Sequence, residues 1–435
     1  MARNSQRKIH ALRGHFSFIS SLLSSATSDR FRRAKRDFSR GGPLAPDFLI
    51  GLLLFMVADA GRRGYRHLID AFWDEAGSFD MPLPTERPIS APAFCEARKK
   101  ITPALVRSLV HQAADAHDLR FGAEQRWLGR RAFAVDGCKV NLQRSDDLAC
   151  AFGVPCGAHC PQAMVSTLFD LVSKVPHDVV VAPHGSSERE QLVLLLDRLK
   201  PGDVLVLDRG YPSFEVFCIL LDAGIDFVVR VPATSSFAAV SGFVKAGACD
   251  RRVTLAPPRD SGLIDRAAIN VRAVRTENLE GEPSVLLTSL RRNEFSRAQI
   301  VDLYRRRWEI EEFYKLSKSN YLGQGQFHAR SKEGVEQEVL SVALFVGITR
   351  YLMAAAAEQH GIAYAEISPK AGVLGTADYV VRLLLLADPD RAPALLSRLL
   401  DRIIRTKDPK RPGRRFPRRS FKPVPKWCAT GRRGG

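Results

Sequence analysis

The feature that most restricts the fold is a run of four residues, Val204-Leu-Val-Leu207, that contains no polar side chain and ends on Asp208-Arg209-Gly210-Tyr211. A run this short and this apolar reads as a strand buried on both faces. Such strands belong to sheets covered by helices on each side. The flanking sequence fits that frame. Strands are expected at 131–135 (ending on Asp136-Gly137), 163–172, 179–182 and 227–231, and helices at 188–199 and 213–223, the first closed by Pro201-Gly202. Strands alternating with helices at these lengths specify an α/β core.

The chain on either side of that core reads differently. Residues 1–125 have helical character: Leu49, Leu52, Leu53 and Met56 recur at helical spacing, and Pro/Gly clusters interrupt the pattern at 41–46 and 82–92. Ser90 precedes a helix beginning near Pro92, and a second helix is expected over 103–118. Residues 232–283 are richer in turns and short strands (252–255, 268–274). A last strand at 285–288 leads into one long helix over 296–319. The expected organisation is a helical N-terminal domain (1–125), an α/β domain (126–350) carrying a β-rich insertion at about 232–290, a C-terminal helical region (351–400) and a basic tail (401–435).

Charge narrows the partner. The formal net charge is +18. Residues 1–40 hold ten Lys/Arg against two Asp, and residues 401–435 hold thirteen against two, which leaves 41–400 close to neutral. Basic ends on a neutral globule point to a polyanion, because Lys and Arg neutralise phosphates and release counterions. The five prolines in 401–435 leave little apolar periodicity there. The eight cysteines form no CxxC pair, so a disulfide framework is not expected and a reducing cytoplasm is. Cys150, Cys156, His159 and Cys160 lie close together but lack a second paired knuckle and sit in a Gly/Pro loop, which argues against zinc. The apolar stretch at 16–23 is short and diluted by serine, unlike a leader. Phe48–Ala58 is too short to cross a bilayer, and Val339–Ala357 is interrupted by Arg350, so no membrane partner is expected.

Two aspartates, Asp136 and Asp208, end buried strands. A carboxylate there is costly unless a partner or a metal neutralises it. Two of them on adjacent strands favour a hard divalent cation such as Mg²⁺. Alone, each could equally be a turn former or helix cap. The helix at 304–318 adds a third acid. Tyr304, Arg307, Glu311 and Lys318, at offsets 0, 3, 7 and 14, fall within roughly a 60° arc of one helix face. Arg307 and Glu311 alone could be a surface i,i+4 ion pair.

Tyr304-x2-Arg307-x3-Glu311-x6-Lys318 resembles the YREK motif of the DDE transposases of the insertion-sequence-four type, at all four positions and all three spacings. Asp208-Arg209-Gly210-Tyr211 and Asp136-Gly137 resemble that family's blocks around its second and first aspartates. The resemblance implies an RNase H-like catalytic core, with the β-rich insertion between the second Asp and the Glu. It implies that Asp136, Asp208 and Glu311 bind two Mg²⁺ ions, with Mn²⁺ able to replace them. It also implies that Tyr304, Arg307 and Lys318 contact phosphates near the cleaved end. Arg209, Tyr211 and Trp308 join the expected DNA-binding set. Trp308 stacks near a flipped base, or else faces the core. Ser284 stands where some relatives carry a Trp, which speaks against a hairpin step. The implied partner is double-stranded DNA, as terminal inverted repeats and target, bound by a homodimer in the bacterial cytoplasm at the nucleoid. Two other readings use the same residues: a nuclease on this core that does not join ends, and a repurposed DNA-binding protein without catalysis.

Overall fold

The computed structural model of the chain describes residues 2–39, 44–59, 63–232, 237–257, 268–277, 283–317, 327–386, 388 and 390–407. Its strands are β1 (Ala132–Asn141), β2 (Gln162–Asp170), β3 (Pro176–Pro183), β4 (Val204–Leu207), β5 (Asp226–Pro232), β6 (Asp250–Leu255), β7 (Ile269–Glu277) and β8 (Pro283–Thr288). They form one sheet in the order β3-β2-β1-β4-β5-β8-β7-β6. The central strands β1, β4 and β5 are parallel, and every other pairing is antiparallel.

Both faces of the sheet are covered, as the run at 204–207 requires. Ala132, Ala134, Val204, Val206 and Val228 point into one hydrophobic cluster, while Phe133, Val135, Leu205, Leu207, Phe227 and Val229 point into the other. This is the period-two alternation of a pleated strand. The second cluster is closed by α7 (Glu188–Leu195), α8 (Phe214–Asp222) and α9 (Ala238–Lys245). The first is larger and runs from Leu12 to Ile403. It gathers α1 (Ala2–Ser25), α2 (Pro46–Ala58), α3 (Tyr65–Ser78), α4 (Ala91–Arg98), α5 (Pro103–Phe121) and α6 (Asp146–Phe152) with α12 (Lys332–His360), α13 (Pro369–Leu385) and α14 (Ala392–Ile404). The N-terminal and C-terminal helices thus share one core with a face of the sheet.

At the centre of that core lies α12. By length and composition it could cross a membrane, but its most apolar 18-residue window is wholly buried among α5, α2, α14 and β3. A buried ion pair ties it to α4: Arg98 Nη1 lies 3.2 Å from Glu338 Oε1, which also accepts from the Tyr65 hydroxyl at 2.6 Å. Arg98 Nε donates to Gln337 Oε1 at 3.0 Å. The expected cap of α4 is present, with Ser90 Oγ accepting from the Ala93 amide.

Four sequence expectations are corrected. The strand at 131–135 does not end on Asp136; β1 continues to Asn141, because β2 goes on pairing with it from Asp136↔Thr167 to Asn141↔Gln162. The single helix expected over 296–319 is two, α10 (Arg297–Arg306) and α11 (Trp308–Leu316), broken at Arg307. There the amide of Arg307 bonds back to Tyr304 O and the amide of Ile310 to Arg307 O, three-residue bonds that tighten the turn. The helix expected to Leu199 stops at Leu195 and gives way to a 3₁₀ turn. The turn-rich segment at 232–283 also contains a helix, α9, and its strands β6 and β7 join the central sheet beside β8.

Candidate active site

The site lies at the carboxyl ends of the parallel strands, where α/β sheets hold their ligands. Ala134 of β1 is paired with Val206 of β4, so two residues further along Asp136 stands beside Asp208. β4 ends at Leu207, which leaves Asp136 flanked only by β2 on its other side. Arg230 lies on β5, next to β4. The break between α10 and α11 turns Arg307 into the gap. A capping box at Ser296 starts this helical pair: Ser296 Oγ accepts from the Gln299 amide, and Gln299 Oε1 accepts from the Ser296 amide.

Arg307 is the centre of the arrangement. Its side chain is 6% exposed. Nη2 lies 2.8 Å from Glu311 Oε1 and 3.9 Å from Asp208 Oδ2, and Nη1 lies 3.9 Å from Asp136 Oδ2. Three carboxylates from three distant segments therefore surround one guanidinium. Asp208 has two further partners, Arg230 Nη2 at 2.8 Å and the Tyr304 hydroxyl, which donates to Oδ1 at 3.0 Å. Asp136 Oδ1 accepts from the Gly137 amide at 3.0 Å. Beneath it, the Tyr314 hydroxyl lies 2.7 Å from the Asp136 carbonyl oxygen and 3.1 Å from that of Val165, which anchors α11 to β1 and β2.

The two aspartates titrate in opposite directions. Burial pushes Asp136 up to about 6; Arg307 and the Gly137 amide oppose this, and the negative charges of Glu188 and Glu311 add to it. Burial also acts on Asp208, but Arg307, the Arg209 amide, Arg230 and Tyr304 outweigh it and hold that carboxyl below its ordinary value. Burial and then the charge of Asp208 raise the Tyr304 hydroxyl, so it remains a donor.

The other expected residues fall in several places. Trp308 is half-buried, with the Arg307 guanidinium 5.5 Å from its ring centroid. Arg209 is exposed at the mouth of the site. Tyr211 is corrected: it is 1% exposed and packed in the core under β4, so its ring does not face a surface that DNA could reach. Lys318 lies outside the described residues. Cys150, Cys156, His159 and Cys160 do not come together as one ligand set among the described residues.

Three neighbours of the site were missed in the sequence. Arg230 was detectable as the only basic side chain in an otherwise apolar strand, Phe227-Val-Val-Arg-Val231. Tyr314 and Glu188 carried no signal, since an aromatic or a first-turn glutamate on a helix is ordinary.

The chemistry of the donor set suits a divalent metal, although the oxygens of Asp136, Asp208 and Glu311, spread around Arg307, do not all lie within 4.8 Å of one another. Three carboxylates offer hard oxygen ligands, and burial beside like charges makes Asp136 costly to ionise without a cation. Among the described residues, one His/Asp triplet has ligand atoms all within 4.8 Å of one another: Asp118, Asp170 and His177, at the other end of β1. Asp118 already meets Arg131 at 3.2 Å, and Asp170 Oδ1 accepts from the Val172 and Ser173 amides. That triplet is separate from the Arg307 cluster.

The sheet is thus parallel at its centre, with three acids converging beyond the ends of β1 and β4. The chain belongs to the DDE transposases: residues 127–346, more than half of its length, match the family described as Transposase DDE domain. It is similar to Transposase InsG for insertion sequence element IS4 of Escherichia coli (strain K12), at 27% identity over 362 residues that cover 78% of each protein. It is a DNA transposase. The cryo-EM structure of a piggyBac transposase synaptic complex with hairpin DNA also aligns, at a TM-score of 0.45 and 11% identity over 93% of this chain and 86% of that one, a likeness too loose to define the fold.

Proposed function

We propose that this transposase cleaves DNA at the ends of an insertion sequence by Mg²⁺-dependent phosphodiester hydrolysis and joins the 3′ ends to target DNA by transesterification. The observation that carries the reading is the convergence of Asp136, Asp208 and Glu311 on Arg307 at the carboxyl ends of β1 and β4. In this reading β1–β5 are the RNase H-like core and β6–β8 are its β-rich insertion. Asp136, Asp208 and Glu311 would hold two Mg²⁺ ions, with Mn²⁺ able to replace them. When bound, such ions activate the attacking oxygen and stabilise the leaving one.

The surrounding residues have distinct tasks. Arg307 keeps three like charges together before any cation arrives, by facing all three at once. Arg230 and Tyr304 fix the orientation of Asp208 through two bonds to Oδ1. Tyr314 fixes the backbone of Asp136. Arg307, Tyr304, Lys318 and the exposed Arg209 are proposed to meet phosphates of the bound end, with Trp308 beside them. The helices of residues 1–125 and the basic tail add affinity for the terminal inverted repeats, and the working form is a homodimer on DNA at the bacterial nucleoid.

Glu311→Gln tests the assignment, because it preserves size and removes a charged ligand. Gel shifts should show DNA binding within about threefold of wild type, while Mg²⁺-dependent nicking should fall by at least ~100-fold, as expected when charge stabilisation in a transition state is lost. Nicking at near wild-type rate would remove Glu311 from the catalytic set. A strand-transfer assay on precut ends separates transposition from simple nuclease action.

A further inference from the structure

Each catalytic aspartate is followed closely by a glycine, Gly137 after Asp136 and Gly210 two residues after Asp208. Neither glycine has a positive φ, so backbone conformation does not require it. Space is tight at Gly137, where a Cβ would lie 2.8 Å from Glu188 Oε1 and 3.0 Å from Met164 Sδ, while at Gly210 a Cβ would make an ordinary contact with Glu188 Oε2 at 3.4 Å. The carboxylate of Glu188 thus lies between the two backbone segments that carry Asp136 and Asp208, one oxygen toward each.

Its position is fixed from outside the site. Glu188 is the first residue of α7, whose cap is Ser187. The next residue, Arg189, reaches across to the loop after Asp208: Nε donates to Gly210 O at 3.3 Å and Nη2 to Pro212 O at 3.2 Å. These bonds tie the first turn of α7, and with it the backbone of Glu188, to the Asp208 loop. The charge of Glu188 is also felt in the site, where it contributes to raising Asp136 and the Tyr211 hydroxyl. Glu188 therefore adds a fourth carboxylate beside the segments whose Asp136 and Asp208 meet Arg307. A divalent cation bound there would offset the added negative charge.

We propose that Glu188 is a fourth carboxylate of the divalent-metal centre, helping Asp136 and Asp208 to hold their ion. This rests on the reading of Asp136, Asp208 and Glu311 as metal ligands. The competing role is structural: an acid at the N-terminus of α7 that interacts only with the helix dipole.

Mn²⁺ binding to the full-length chain without DNA, followed by electron paramagnetic resonance of the free ion, decides between them. The variants are Glu188→Gln, Asp136→Asn and, as a control, Glu190→Gln in the same helical turn. Glu188→Gln should weaken Mn²⁺ binding ~10–100-fold, the range seen when a residue supporting a metal's ligands is removed. It should raise the Mg²⁺ concentration for half-maximal nicking in parallel, and leave or raise the melting temperature in EDTA. Glu190→Gln should change none of these. If Glu188→Gln binds Mn²⁺ as tightly as wild type while Asp136→Asn does not, the fourth ligand is refuted and the triad stands. If Asp136→Asn also binds normally, the triad reading itself fails. A Glu188→Gln chain that melts lower in EDTA, with unchanged Mn²⁺ affinity, assigns Glu188 to the helix alone.

Discussion

Replacing Asp136 by Asn should make the metal-free transposase more stable, even though it removes a catalytic group. The carboxyl is pushed from 3.8 to about 6, chiefly by burial. A shift of that size corresponds to about 3 kcal/mol of unfavourable interaction with the ionised form. Its side chain is 23% exposed, and solvent relieves part of the cost, so about 1–3 kcal/mol is expected. A carboxyl whose folded pKa lies above its unfolded one binds its proton more tightly in the folded chain. Stability is then greatest below about pH 4, falls as pH rises toward about 6, and stays low beyond. Asp136→Asn abolishes that loss. Urea denaturation in EDTA should show wild type and variant nearly equal at pH 4, with the variant ahead at pH 8. Asp170, also raised to about 6 by burial, is present in both chains and cancels. Adding Mg²⁺ should restore wild type, by about 2.7 kcal/mol at a hundredfold excess over the dissociation constant, and leave the variant largely unmoved. An equal gap between the two chains at pH 4 and pH 8, or no gap at pH 8 in EDTA, would refute the reasoning.

Two further outcomes are expected beside those for Glu311→Gln and Glu188→Gln. Arg98→Met leaves Glu338 buried without its guanidinium and should cost about 3–5 kcal/mol in denaturant melts, much of it recovered when Glu338→Leu is added. Deleting the tail after Lys407 should flatten the slope of log affinity against log salt by about 0.9 for every phosphate that is no longer neutralised, equally for specific and random DNA. A weakening confined to one DNA sequence, or a change only in the dimer equilibrium by sedimentation, would assign the tail another role.

Much of the core was legible because its strands carry strong local patterns. The run at 204–207 could only be a strand buried on both faces, and it alternates between the two hydrophobic clusters. The break at Arg307 was not legible. Arg307 keeps helical dihedrals (φ −51, ψ −28), so no Pro or Gly marks it, and only the bonding changes from four-residue to three-residue spacing. The continuation of β1 past Asp136 was hidden for a related reason. Asp-Gly is a common turn pair, and only the partner strand β2, which pairs with β1 from Phe133 to Asn141, keeps it extended. Tyr211 was misjudged because its neighbours in sequence line the site while its own ring turns under the sheet. Arg230 and Glu188 reach the cluster through tertiary packing, which no spacing rule encodes.

The pairing of β5 with β8 has a consequence for comparing transposases. The chain departs from β5 at Pro232 and comes back beside it at Ser284, and these two residues are partners in the ladder. Everything between them is an excursion whose exit and re-entry points coincide. Its length can drift over evolution, or be altered by an engineer, while Arg230 and the helices that present Arg307 and Glu311 stay in register. Distance along the chain from the second aspartate to the glutamate is therefore a poor ruler for kinship. Relatives should be aligned on the two flanking strands, and the interval between them scored as a separate trait.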